Sequence, residues 1–225
     1  MLVPSGSYEQ HGPHLPLATD TLIATALARL VAERLEPAVI VTPTVAPGLS
    51  WHHLGFPGTV DLGEEGFRAI HDAYVAMAAG LDIRHVFLIS SHGGNFAFIG
   101  RYADESFGDV SVHAFAEFAE YVEAMREGGQ RAGLALAETD VHAGKLETSQ
   151  ALHLFPDDVL EFEGLVGYVA AEDGWLDTLF ADGVHALSDI GVLGEPHGAT
   201  AEAGEQIMLA LAERIAGWAR ALLSA

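Results

Sequence analysis

Residues 85–95 read HVFLISSHGGN, and they carry the clearest indication of how this chain folds. The first six residues form a β-rich apolar run, which is typical of a buried strand, and polar residues with a glycine pair follow it. Residues 38–42 (AVIVT) and 109–114 (DVSVHA) have the same character, and residues 2–4 (LVP) form a shorter run. The sequence therefore predicts four short strands.

Segments with apolar residues at helical spacing separate these runs. They are residues 21–35 and 64–81, and residues 201–223 form a long amphipathic helix at the end of the chain. Residues 123–133 are polar and contain glycine, so we predict a mobile loop there. Strand–helix–strand alternation indicates an α/β protein with a mostly parallel sheet and helices on both faces. Because no internal repeat or linker is visible, we expect one domain over residues 1–225.

The charge balance is unusual and limits the possible partners. Asp and Glu number 32 against 10 Lys plus Arg, which gives a formal net charge of −22, and Lys145 is the only lysine. Such a charge repels phosphate backbones and anionic lipid, so we expect neither nucleic acid nor a membrane as a partner. An acidic cytosolic protein and a halophilic protein both fit this composition. The scarcity of lysine favours the halophilic interpretation.

The chain also lacks features of secreted and membrane proteins. Met1 is followed by Leu2-Val3-Pro4, without a basic segment or a long apolar segment, so we expect a cytoplasmic protein. The uncharged apolar stretches are far shorter than the ~18 residues that span a bilayer. No cysteine is present. A metal site would therefore use histidine and carboxylate ligands, which suit Zn, Mn or Fe.

The densest group of candidate ligands is the segment EQHGPHLPLATD, from Glu9 to Asp20. Glu9 and His11 are two residues apart, so in an extended chain they face the same side and can bind one ion or two adjacent ions. Asp20 begins a predicted helix and can present its two oxygens to a pair of ions. A metal site explains this concentration of ligands better than a polar loop with incidental histidines.

Two further segments carry the same residue types beside predicted elements. In SSHGGN, His92 can bind a metal through one ring nitrogen, while Gly93 and Gly94 let the backbone approach a ligand closely. In DVHAGKLETS, His142 and Glu147 lie at the start of a helical run. Binding sites in parallel sheets lie beyond the carboxyl ends of the strands, so we expect these segments to meet the first one there.

Together these motifs resemble the creatininase (creatinine amidohydrolase) family. The resemblance rests on SxEQHGPHLPxxTD, GFPGT, SHGGN and HAGxxETS, which occur in the family's order between residues 2 and about 156. It implies a three-layer α/β/α sandwich, hydrolysis of C–N amide bonds, and a homo-oligomer, often a hexamer. It also implies two divalent metal ions, with His142 as the acid/base residue and with these metal ligands: Glu9, His11, Asp20, His92 and Glu147.

The substrate remains open between several amides. Compared with true creatininases, the chain has Gly93 and Gly94 where bulky and acidic residues stand, and Val141 where a glutamate precedes the catalytic histidine. Peptidases of the mycofactocin precursor and formamidopyrimidine deformylases of flavin and deazaflavin synthesis share the HGGN form. His53, beside GFPGT, is a candidate for lining a pocket for a small-molecule or short-peptide substrate. Non-enzymatic alternatives are a catalytically silent oligomeric relative and a metal-binding regulatory module.

Overall fold

The computed structural model describes residues 1–35, 39–102 and 105–224. Its strands and helices, in chain order, are β1 (Leu2–Ser5), α1 (Thr19–Ala32), α2 (Gly63–Gly80), β2 (His85–Ser90), α3 (Gly93–Arg101), β3 (Ser111–Ala114), α4 (Phe118–Arg131), α5 (Lys145–Leu154), α6 (Trp175–Asp182) and α7 (Ala201–Leu223). Among the described residues, no helix has both the length and the apolar character that crossing a bilayer requires.

The three strands form a parallel sheet in the order β1-β2-β3. The predicted strand at residues 38–42 runs along the outer edge of β1, where Leu2 N donates to Ile40 O at 2.8 Å and Thr42 N donates to Leu2 O at 3.0 Å. The described part of this segment forms one isolated bridge, between Leu2 and Val41. Pro4 is the next residue of β1 that faces the segment, and it has no N–H to donate, so the regular ladder is interrupted there. Ala38 lies outside the described residues.

Side chains of β2 alternate between two apolar cores, one on each face of the sheet. Phe87 and Ile89 point into a core that α1, α4 and α7 cover. Val86 and Leu88 point into a second core that α2 and α3 cover. This alternation is the two-residue period of a strand buried on both faces, which explains why Val86, Phe87, Leu88 and Ile89 are all apolar. The predicted three-layer α/β/α arrangement is confirmed.

The prediction of a mobile loop at residues 123–133 is wrong, because most of this segment belongs to α4. The helix buries Tyr121 and Met125 against the core. A Cβ atom at Gly128 would lie 2.5 Å from the Cα of Ile207 in α7. Glycine at this position therefore serves close packing between α4 and α7, and the same glycine made the sequence resemble a loop.

Candidate metal centre

The predicted ligands come together at the carboxyl ends of β1 and β2. Glu9 and His11 lie in the segment that follows β1, and Asp20 lies in the first turn of α1. His92 is the N-cap residue of α3, directly after β2. Glu147 lies in the first turn of α5. All five side chains are buried.

Asp20 stands between two histidines. Its Oδ1 atom is 3.6 Å from His11 Nε2, and its Oδ2 atom is 3.2 Å from His92 Nδ1. Glu9 Oε2 is also 3.2 Å from His92 Nδ1, and Glu147 Oε2 is 3.6 Å from His11 Nε2. The donor atoms thus divide into two groups that share Asp20.

Backbone carbonyls orient both of these histidines. His11 Nδ1 is 3.1 Å from Glu9 O, and His92 Nε2 is 3.0 Å from Leu49 O. A carbonyl oxygen only accepts, so each of these nitrogens carries the hydrogen when the ring is neutral. The other nitrogen of each ring then directs its lone pair toward the carboxylates, which is the usual arrangement of a metal-binding histidine.

Within residues 1–35, 39–102 and 105–224, three sets of donor atoms are close enough to hold a cation, with all atoms of a set within 4.8 Å of one another. They are Glu9–Asp20–His92, His11–His142–Glu147 and Glu9–His53–His142. Among the described residues, Glu9 Oε1, His11 Nε2 and Asp20 Oδ2 are buried without a hydrogen-bond partner. Buried polar atoms without partners are costly, and a divalent ion would satisfy them. The residues therefore fit a metal.

The electrostatics of the cluster also favour added positive charge. Burial alone would lower the pKa of His11, but the carboxylates of Asp20, Glu147 and Glu9 outweigh it and raise that pKa to about 10. Burial raises the pKa of Glu147 to about 7, and the nearby carboxylates of Asp20 and Glu9 add to the effect. Three carboxylates packed together favour positive charge, which protonated His11 supplies when no ion is bound and which a divalent ion would supply in its place.

His142 adjoins both groups of donors. Its Nδ1 atom is 3.7 Å from Glu9 Oε1 and 3.9 Å from Glu147 Oε2. Its Nε2 atom is 3.0 Å from the main-chain oxygen of Gln10. Burial lowers the pKa of His142 well below its usual value, and the neighbouring His11 lowers it further. The ring is therefore neutral, with the lone pair of Nδ1 facing the carboxylates.

A cavity of about 40 Å³ opens above these side chains. His53 and Gly93 line it, together with apolar side chains that include Phe118, Leu176 and Phe180. Gly94 is not among the residues that line this cavity. It packs against Leu49, and a Cβ atom at Gly94 would overlap the Leu49 carbonyl oxygen.

Two buried amides that the sequence analysis left without a role support the site. Asn95 Nδ2 donates to Gly6 O at 3.0 Å and to Ser90 Oγ at 3.2 Å, while its Oδ1 accepts from Leu49 N at 3.0 Å. The amide nitrogen of Gln10 lies between His53 and His142. Both amides stand inside or beside the ligand motifs EQH and SHGGN, which is the only signal that could have revealed them.

Known proteins are similar to this chain over nearly its whole length. The chain is 40% identical over 229 residues to the mycofactocin precursor peptide peptidase of Mycolicibacterium smegmatis, covering 97% of this chain and 85% of the relative. A mutant creatininase superposes with a TM-score of 0.76 at 25% identity, covering 97% of this chain and 89% of the other. Another mutant creatininase, described as of Zn–Zn type, gives a TM-score of 0.72 at 25% identity with coverages of 97% and 88%.

A family profile tests whether this likeness extends beyond individual relatives. The profile described as creatinine amidohydrolase matches residues 1–218, which include every residue of the buried cluster. The sequence motifs, the parallel sheet and the carboxylate–histidine site agree with that match. The chain belongs to the creatininase family.

Proposed function

We propose that this protein is a metal-dependent peptidase that hydrolyses a C–N amide bond in a short peptide of the mycofactocin-precursor type. The observation that carries the proposal is the division of the buried donors into two groups around Asp20. The 40% identity to a mycofactocin precursor peptide peptidase supports a peptide substrate, compared with 25% identity to the creatininase structures.

In this proposal the five predicted ligands hold two divalent ions, with Zn, Mn and Fe as candidates. Glu9 and His92 would bind one ion, His11 and Glu147 would bind the other, and Asp20 would contact both. Bound ions of this kind polarise a substrate carbonyl and lower the pKa of a water molecule. The Zn–Zn description of one related creatininase supports a site for two ions.

His142 is the proposed acid/base residue. It lies on the wall of the cavity, and its Nδ1 lone pair faces the carboxylates of Glu9 and Glu147. From there it can take a proton from the water molecule that attacks the substrate carbonyl. It can then give this proton to the amide nitrogen that leaves. Phe118, Leu176 and Phe180 give the cavity an apolar wall, which would limit the access of bulk water to this transfer once a substrate is bound.

Several other activities and properties belong to the same proposal. Creatinine and a formamidopyrimidine remain the alternative substrates. A catalytically silent relative would be expected to have lost a ligand, whereas all five positions are occupied and buried. We further propose one domain over residues 1–225, a homo-oligomer that is hexameric by family resemblance, and a cytoplasmic location.

A substrate comparison tests the proposal. Metal-free and metal-loaded protein would be incubated with a synthetic mycofactocin precursor peptide, creatinine and a formamidopyrimidine, and the products identified by mass spectrometry. We expect cleavage of the peptide, its loss with a chelator, and its return with Zn, Mn or Fe. Cleavage that persists fully in metal-free protein, or a preference for either small amide, would contradict it. Light scattering on the same samples gives the oligomeric state.

A further inference from the structure

Gln10 is buried and its side-chain amide has a fixed orientation. The amide oxygen accepts a hydrogen bond from Gly12 N at 3.0 Å, and the amide nitrogen donates to Gly191 O at 3.1 Å. Exchanging the two ends of the amide would lose both bonds. A Cβ atom at Gly191 would overlap the amide, so the glycine leaves room for it.

The amide nitrogen of Gln10 also contacts His53. Gln10 Nε2 is 2.9 Å from His53 Nδ1. The amide nitrogen also lies 3.0 Å from His142 Nε2, but that nitrogen donates its own hydrogen to Gln10 O. The second amide hydrogen therefore goes to His53 Nδ1, which must be the acceptor and cannot carry a hydrogen. With Nδ1 unprotonated, the ring carries its hydrogen on Nε2, which lies 3.2 Å from Glu9 Oε1.

This arrangement is the reverse of the one found at the other histidines of the cluster. His11, His92 and His142 each place one nitrogen against a backbone carbonyl, which leaves the other nitrogen with a lone pair toward the carboxylates. A histidine that binds a metal usually donates its second N–H to such an acceptor. His53 faces a donor where those rings face an acceptor. The set Glu9–His53–His142 is close enough to hold an ion, but the chemistry of its His53 nitrogen does not suit one.

We infer that Gln10 is a positioning residue that holds His53 in the Nε2–H tautomer, so that the His53 nitrogen facing Glu9 carries a hydrogen and does not bind an ion. This inference rests on the proposed function for the role of Glu9 as a metal ligand. Gln10 thereby removes His53 from the histidines of the cluster that can bind an ion.

The tautomer can be measured directly in the metal-free protein. Histidine side chains labelled with ¹⁵N would be recorded in long-range ¹H–¹⁵N correlation spectra, with His53 assigned by its loss in His53→Gln. We expect an unprotonated Nδ1 and a protonated Nε2 in the wild type. A hydrogen on Nδ1 of His53 would overturn the inference. This readout needs no substrate, so it stands or falls independently of peptide cleavage.

Two variants test whether Gln10 sets the tautomer of His53 and whether His53 is excluded from the metal ligands. Gln10→Glu replaces the donor by a carboxylate and should move the His53 hydrogen to Nδ1, whereas Gln130→Glu, an exposed change of the same kind on α4, should not. An unchanged tautomer in Gln10→Glu would overturn the inference; if that variant fails to fold, the wild-type spectrum still decides. His53→Gln should retain the metal content of the wild type in elemental analysis, and loss of an ion would refute the exclusion of His53 from the ligands.

Discussion

Ala143 N donates a 2.6 Å hydrogen bond to Glu147 Oε2, and Ala143 makes this bond from a left-handed backbone conformation with φ of 52°. Left-handed conformations cost a non-glycine residue of order 1–3 kcal/mol and concentrate at functional sites. Here the conformation turns the chain between His142 and α5, and it holds the carboxylate of Glu147 against the cluster.

Substitutions at Ala143 test the role of this conformation. Ala143→Gly should leave the free energy of unfolding within ~1 kcal/mol of the wild type, because relief of strain offsets the greater freedom of the unfolded chain. Ala143→Val should lower it by roughly 2–6 kcal/mol, since a β-branched residue is strained there and overfills a fully buried position. Urea denaturation of the metal-free protein measures both. A valine variant as stable as the wild type would contradict this account.

The second prediction concerns Asp20 and the number of ions. Asp20→Ala should lose both ions, because each oxygen of Asp20 faces a different histidine. Elemental analysis after dialysis should find about two ions per chain in the wild type and fewer than one in the variant. Asp72→Ala, a carboxylate change on the remote helix α2, serves as the control and should keep both ions. Full metal content in Asp20→Ala would exclude a shared ligand.

His142 provides the third prediction. His142→Ala should retain near-normal metal content while kcat falls by ~10²–10⁴, the usual effect of removing acid–base help. The structure makes the metal measurement decisive, because His142 Nδ1 lies close enough to Glu9 and Glu147 to act as a ligand instead. Joint loss of metal and activity would place His142 among the ligands.

The fourth prediction is a pH dependence of stability that arises far from the site. His71 on α2 is fully buried, and burial lowers its pKa below the usual 6.5, although a hydrogen bond to Phe67 O and the charge of Asp72 oppose this. Below pH ~6.5 the unfolded chain therefore binds more protons at this residue than the folded chain. The contribution of His71 to stability is complete above pH ~6.5 and is lost as the pH falls toward its folded pKa.

His71→Leu should accordingly flatten the acid side of the stability curve. Unfolding free energies from pH 5 to 8 would be compared for the wild type, His71→Leu and the exposed control His197→Gln. We expect the difference between wild type and His71→Leu to grow in favour of the variant as the pH falls. A difference that is independent of pH would show that His71 does not titrate as described.

The fifth prediction follows from the net charge of −22. Like charges on a folded surface repel, and raising the ionic strength from ~0.01 M to ~1 M shortens the screening length from ~30 Å to ~3 Å. The melting temperature should therefore rise with KCl well beyond ~0.15 M, and the particle mass should rise with it. Thermal melts and light scattering over a KCl series measure both. Values that stay flat would refute the halophilic interpretation.

The sequence predicted those parts of the fold that depend on local pattern. The apolar run His85–Ser90 forms β2, and the long amphipathic segment Ala201–Leu223 is α7 with the predicted bounds. Local sequence pattern failed to predict the structure where packing between segments that are distant in sequence determines it. Gly128 resembles a loop residue, yet it is required where α4 crosses α7, and that partner is some 80 residues away along the chain.

The site residues likewise divide into those that local sequence predicts and those that only the fold reveals. Each ligand motif could be identified because its residues are close in sequence, whereas Gln10, His53 and His142 are brought together only by folding. His52 is also buried, with its ring stacked 5.5 Å from that of His92 and in contact with Phe180, although no motif in the sequence marks it. Which nitrogen of a histidine carries the hydrogen depends on such partners, and no spacing in the sequence reveals it.

The hydrogen bonds of Asn95 have a consequence for how the site would exchange its ions. This one amide joins the backbone after β1, the end of β2 and the segment at Leu49, without contacting any ligand side chain through those bonds. The cage is therefore assembled as part of folding, in contrast to small zinc domains, whose folding free energy comes from metal capture. In the proposed metal-dependent peptidase, ions would therefore leave and be replaced while the scaffold persists. The metal bound by the protein would then follow the supply of ions around it, as the Irving–Williams order and availability dictate.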